Sequence, residues 1–171
     1  MHGGFKMKTV NIKLSGLNPK MRPILVVNGE TVQCKRNEFG SYDAVYQTDK
    51  EEAIIEVYRN LELTNRLWWL YTIISFLISV FGLLNPWYDR KCIDLQCKYL
   101  VRLKEKNDVN IKFYALSTQG KASEIETALE CFEVKNEYFV NKTAKKRRRW
   151  YQFIKAVCLI ALVVVIVVII V

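Results

Sequence analysis

The chain has almost no histidine. Its single one, His2, stands in the first few residues, so the body of the protein lacks the commonest general base and metal ligand. Glycine and proline are also scarce, with 7 and 3 in 171 residues. No glycine-rich phosphate loop, nucleophile elbow or HExxH helix occurs. The five cysteines, Cys34, Cys92, Cys97, Cys131 and Cys158, form no CxxC pair. Their odd number and scattered spacing predict free thiols, not a disulfide framework or a zinc site. Acid clusters, Glu51-Glu52 and Glu124, Glu126, Glu130 and Glu133, match no calcium-loop spacing and read as solvated faces. These absences point away from an enzyme, and no metal or cofactor is expected.

Charge is lacking in two places only. The composition is 51% apolar and 25% charged with a net +9, an average that suits an ordinary basic domain. Yet residues 67–88 carry no acid or base, and Phe153 to Val171 carry only Lys155. At about 1.5 Å per residue, a helix of about 22 residues reaches roughly 33 Å, enough for a hydrocarbon core of about 30 Å. All four tryptophans lie at the ends of these stretches: Trp68, Trp69 and Trp87 around the first, Trp150 with Tyr151 at the second. Aromatic side chains with one polar atom favour the headgroup level. The sequence therefore predicts a membrane α+β protein, with two transmembrane helices and small antiparallel, β-rich, sandwich-like polar regions. Its expected organisation is an N-terminal β-rich region at 1–66, helix 1 at 67–88, a basic β-rich loop region at 89–149 and helix 2 at 150–171.

Most of the basic excess lies between the two apolar stretches, and five of its charges, Lys145, Lys146, Arg147, Arg148 and Arg149, stand in a row at a boundary. Positive flanks stay in the cytoplasm, which places 89–149 there in a multi-pass cell-membrane protein. The run also suits anionic headgroups, at up to about 1 kcal/mol per residue. Nucleic acid is not an expected partner, because a topology anchor explains the run. Two full spans put residues 1–66 on the opposite side. A competing arrangement has 67–88 dip into the membrane and return; a breaker is then needed near the middle, whereas Gly82 and Pro86 stand near the end. Two spans are the arrangement expected here.

Within the first stretch, Ser75, Ser79 and Gly82 make one stripe of small residues, suited to close helix packing against Ala156 and Ala161 or another protein. The polar residues read as short strands: Val10, Ile12 and Leu14 alternate, Asn28-Gly29 marks a hairpin, and Ile93 to Leu103 is the cleanest amphipathic strand. Ser123 to Cys131 fits a short helix with a Ser123–Glu126 capping box, and Lys135-Asn136 reads as a turn between strands. Asn141-Lys142-Thr143 fits a glycosylation sequon, a chance match in a cytoplasmic segment. The expected function is a non-enzymatic interaction or accessory subunit of adaptor or immunity type, with a membrane-protein partner or self-association. A channel component or an enzyme with an unrecognised site are the alternatives.

Overall fold

The computed structural model describes residues 7–17, 23–59, 62–64, 66–78, 92–117 and 119–170. The chain divides into two compact units, Met1–Asn60 with Ile93–Phe139, and Leu61–Cys92 with Val140–Val171.

The first unit is built from ten strands: β1 (Lys8–Ser15), β2 (Pro23–Val27), β3 (Glu30–Val32), β4 (Lys35–Arg36), β5 (Tyr42–Thr48), β6 (Glu52–Arg59), β7 (Ile93–Arg102), β8 (Asn107–Phe113), β9 (Ser123–Glu126) and β10 (Cys131–Val140). They form two five-stranded sheets, in the orders β4-β5-β1-β8-β9 and β10-β7-β6-β2-β3. Period-2 alternation makes each strand two-faced. In β7, Ile93, Leu95, Cys97, Tyr99 and Val101 point inward, and in β1 Val10, Ile12 and Leu14 do. These meet Leu25, Val27, Ile55, Val57, Val109 and Ile111 in one core shared by both sheets. Each such side chain, fully buried, contributes about 1.5–3 kcal/mol.

Residues from both expected β-rich regions, 1–66 and 89–149, thus supply strands to the same sheets. β6 pairs with β7 antiparallel from Glu52↔Arg102 to Tyr58↔Gln96, and β1 pairs with β8 parallel from Val10↔Asn107 to Ser15↔Lys112. A bilayer cannot pass between hydrogen-bonded strands, so the expected two-span arrangement is not supported. Among the described residues one helix is long and apolar enough to cross a membrane, Lys142–Ile170, and a multi-pass topology is not supported.

Two local expectations also change. Ser123–Glu126 is a strand, with Ser123 fully buried, and not a helix start. β10 runs unbroken through Lys135 and Asn136. By contrast, Asn28-Gly29 forms the expected turn, with φ of 52° and 87°, the left-handed pair that a type I′ hairpin requires. The Asn28 side chain accepts the Ile54 N–H at 2.9 Å, tying the turn to β6.

The strand directions gather the chain crossings at one end of the sandwich. The end of β6 lies beside the start of β7 at Tyr58↔Gln96, and Asn141 N donates to Cys92 O at 2.9 Å just past β10. At the opposite end Arg102 N donates to Glu130 O and Leu103 N to Glu51 O. Lys8 reaches Leu103 O there, so β1 starts at that end and finishes at the crossing end. Gly16 follows β1 with φ +75°, and a Cβ there would collide with the Phe113 carbonyl.

The second unit contains a 3₁₀ turn (Glu62–Thr64), α1 (Trp68–Ile78) and α2 (Lys142–Ile170). The described part of α1 has 11 residues, about 16 Å of helix. α2 has 29, about 44 Å. It starts at Lys142, so the basic run is its first two turns and not a loop before it. None of its most apolar stretch is buried against protein.

Candidate functional site

The basic run, the aromatics and the helix start converge on one collar in the second unit. Asn141 caps α2: its Oδ1 accepts the Ala144 N–H at 3.0 Å while its carbonyl accepts the first helical bond from Lys145. The side chain that the sequon singled out therefore already serves as a helix cap. No acidic residue occupies the first turn. Lys142, Lys145 and Lys146 stand instead at the positive end of the helix dipole, an arrangement unfavourable by a few tenths of a kcal/mol each unless an anion offsets it.

Helical periodicity then separates the five basic residues. Ala144 and Tyr151 face inward, at 1% and 2% exposure, and with Leu63 and Cys92 form a small core against which Phe76 packs. Tyr151 meets Phe76 edge to face, ring centroids 6.4 Å apart. Its expected interfacial position is thus taken up by packing inside the unit. Arg147 lies on the flank of this core: its Nη1 donates to Leu63 O at 2.7 Å and its guanidinium stands 5.0 Å from the Trp68 ring centroid. Arg148 is half-buried, while Lys145, Lys146 and Arg149 are exposed. Trp69 and Trp150 are about half exposed, and Trp150 stacks edge-on with Phe153 at 6.1 Å. Ser75 lies on α1, but its side chain, together with Ser79, Gly82 and Trp87, lies outside the described residues.

Two open grooves flank Lys146 and Trp150. One, of about 610 Å³, is lined by Trp68, Lys142, Thr143, Lys146, Arg147 and Trp150. The other, of about 310 Å³, is lined by Lys146, Arg149, Trp150 and Phe153. Both are lined by ammonium or guanidinium donors together with indole rings, with the Thr143 hydroxyl in the larger. That chemistry suits a phosphate joined to an apolar body.

A second polar constellation, not expected from the residue pattern, lies inside the sandwich. The Ser123 hydroxyl lies 2.9 Å from the Tyr99 hydroxyl and 3.1 Å from Cys97 Sγ. Asn136 Oδ1 accepts from Ala122 N, Ser123 N and Ser123 Oγ at 2.8–3.1 Å, and its Nδ2 donates to Ser123 O and to the Glu133 carboxylate. Burial pushes the Cys97 thiol up to about 11, against a smaller downward pull from Ser123. Burial also raises the Tyr99 phenol. A protonated thiol and phenol closed among strands hold β9 and β10 to β7; they do not make a nucleophile. The inward alternation of Cys97 and Tyr99 along β7 is the sequence signal for this cluster, and the short window from Ser123 to Cys131 is ambiguous between strand and helix cap.

On the outer face of the first sheet a depression of about 410 Å³ includes Asp43, Asp108 and Glu126. Each carboxylate accepts an asparagine amide, from Asn37, Asn11 and Asn110 respectively, at 2.8–2.9 Å. Among the described residues no group of three or more His, Cys, Asp or Glu is placed to hold a metal ion.

A β-sandwich with a basic and aromatic collar on an apolar helix is the class these features define. Compared with protein-family models, curated proteins and solved structures, the chain matches none.

Proposed function

We propose that the protein is a non-enzymatic, membrane-anchored interaction module of accessory or adaptor type, in which α2 spans the bilayer and carries the sandwich on the cytoplasmic side. One observation supports this most: the three chain crossings lie at one end of the sandwich, and the last of them leads within two residues into an apolar helix that no protein covers. Exposed Ile160, Val168 and Ile169, at 65%, 71% and 77%, call for an apolar surround. The basic first turns of α2 suit the cytoplasmic boundary and anionic headgroups there.

The partner is another membrane protein or a second copy. Extraction of the full chain in mild detergent, followed by affinity purification, is expected to recover one defined partner in fixed stoichiometry. A purified, self-contained oligomer that conducts ions in planar bilayers would replace this reading with that of a channel component.

A further inference from the structure

The hairpin between β4 and β5 carries a phenylalanine that nothing in the fold uses. Phe39 is 91% exposed, more than any other large apolar residue described, those of α2 included. The loop beneath it is firmly built. Asn37 Oδ1 accepts the N–H groups of Phe39 and Ser41 at 3.1 and 2.9 Å, and Asn37 N donates to Ser41 O at 2.8 Å. Gly40 N closes back on Asn37 O, with Gly40 at φ +78°, and Asn37 Nδ2 bonds Asp43 at 2.9 Å. A side chain held out on a tip this constrained loses little further freedom when it is engaged.

We propose that this tip inserts Phe39 into the headgroup–acyl boundary of the bilayer, holding the sandwich to the membrane at a second point besides α2. The proposal rests on the anchoring read above. β5 begins where β1 ends, at Leu14↔Tyr42, so the tip stands at the crossing end of the sandwich, where β10 gives way to α2. Lys35 and Arg36, both exposed on β4, bring positive charge to the hairpin, with Glu38 at the tip and Asp43 opposite Lys35 as its acids. An exposed aromatic with neighbouring cations is the composition of an interfacial anchor. Val45, Phe132 and Val134, also exposed in this unit, belong to strands and not to a projecting turn, and Met7 and Tyr114 flank strand ends.

The test places p-benzoylphenylalanine at Phe39, at Asp49 on the opposite end of the sandwich, or at Phe153 on α2. Each full-length chain is reconstituted in vesicles of equimolar phosphatidylcholine and phosphatidylglycerol, illuminated, and assayed for lipid adducts by mass spectrometry. Adducts are expected at positions 153 and 39, at roughly tenfold the yield at 49 for an aromatic seated in the interface. Adducts at 153 with none above the level of 49 at position 39 overturn the inserted tip and leave the anchor standing. Cross-linking of position 39 to a second copy also overturns it. Absence of adducts at 153 overturns the anchoring reading itself.

Discussion

Tyr58 and Gln96 stand opposite each other in adjacent antiparallel strands, although the whole 67–88 stretch lies between them in the chain. The pairing makes topology a matter of hydrogen bonds and not of charge counts. Cysteines introduced at Asp49 and at Lys106, after replacement of the native reactive thiols, should therefore label together or be protected together in sealed vesicles. Labelling of only one by a membrane-impermeant maleimide would mean that the two halves do not share a sandwich in the membrane.

Asn136→Ala tests the buried polar cluster. The change removes the acceptor for Ala122 N and Ser123 N and leaves those groups without it, at a cost of about 2–3 kcal/mol. Ser123→Ala, which removes one hydroxyl shared by Tyr99 and Cys97, should cost about 1 kcal/mol. Urea unfolding followed by far-UV circular dichroism reads both; an Asn136→Ala variant as stable as the parent would show that β10 is held by its ladder alone.

Alternation was enough to place most strands, because a one-residue slip would turn a whole face outward. Val10, Ile12 and Leu14 and the inward residues of β7 were legible for that reason. Pairing was not, since β1∥β8 joins residues nearly a hundred apart and no local pattern encodes it. Ser123 stays ambiguous in sequence because a buried serine followed by Glu126 looks the same as a helix cap; its partners Tyr99 and Asn136 come from two other strands. In the collar, the run Lys145 to Arg149 and its aromatics could be read as a group. Which members face inward depended on where α2 starts, and Asn141 fixes that through its cap.

The same burial predicts a chemical contrast among the thiols. With Cys97 pushed up to about 11, its thiolate fraction at pH 8 falls roughly two orders of magnitude below that of an ordinary thiol. Iodoacetamide at pH 8 should leave Cys97 unmodified in the folded chain and modify it in denaturant, as mapped by peptide mass spectrometry. Modification at equal rates in both states would place Cys97 outside the core.

Glu56 links stability to acid pH. Hydrogen bonds from Lys98 and from the Tyr58 hydroxyl hold its carboxyl below the usual range, and the same carboxylate pushes Tyr58 up to about 12. A carboxyl lowered in the folded state contributes stability above its unfolded value, near 4.3, and loses it as pH falls through the folded value. Lys98 and Glu56 are 2.6 Å apart but partly exposed, so the contribution is under about 1 kcal/mol. Glu56→Gln should unfold slightly earlier at pH 7 and show a shallower drop in melting temperature between pH 5 and pH 3. An unchanged pH profile would remove Glu56 from the acid response.

Arg147 and its exposed neighbours should separate in their effects. Arg147→Ala removes the bond to Leu63 O and the stack on Trp68, together about 1–2 kcal/mol, and should red-shift tryptophan emission. Arg147→Lys keeps the charge but loses the planar stack, so it should resemble alanine in emission. Replacing Lys145, Lys146 and Arg149 together by Gln should leave emission unchanged. It should instead cut the phosphatidylglycerol that stays bound in mild detergent, as counted by native mass spectrometry, since each cation near the surface contributes up to about 1 kcal/mol. The division follows from helix geometry: Arg147 stands three residues from Ala144 and four from Tyr151, beside the buried face, and lines the larger groove only, whereas Lys146 lines both grooves around Trp150 and Arg149 the smaller. Equal lipid loss from Arg147→Ala and from the triple variant would show that the run acts as undivided charge and that the stack on Trp68 is incidental.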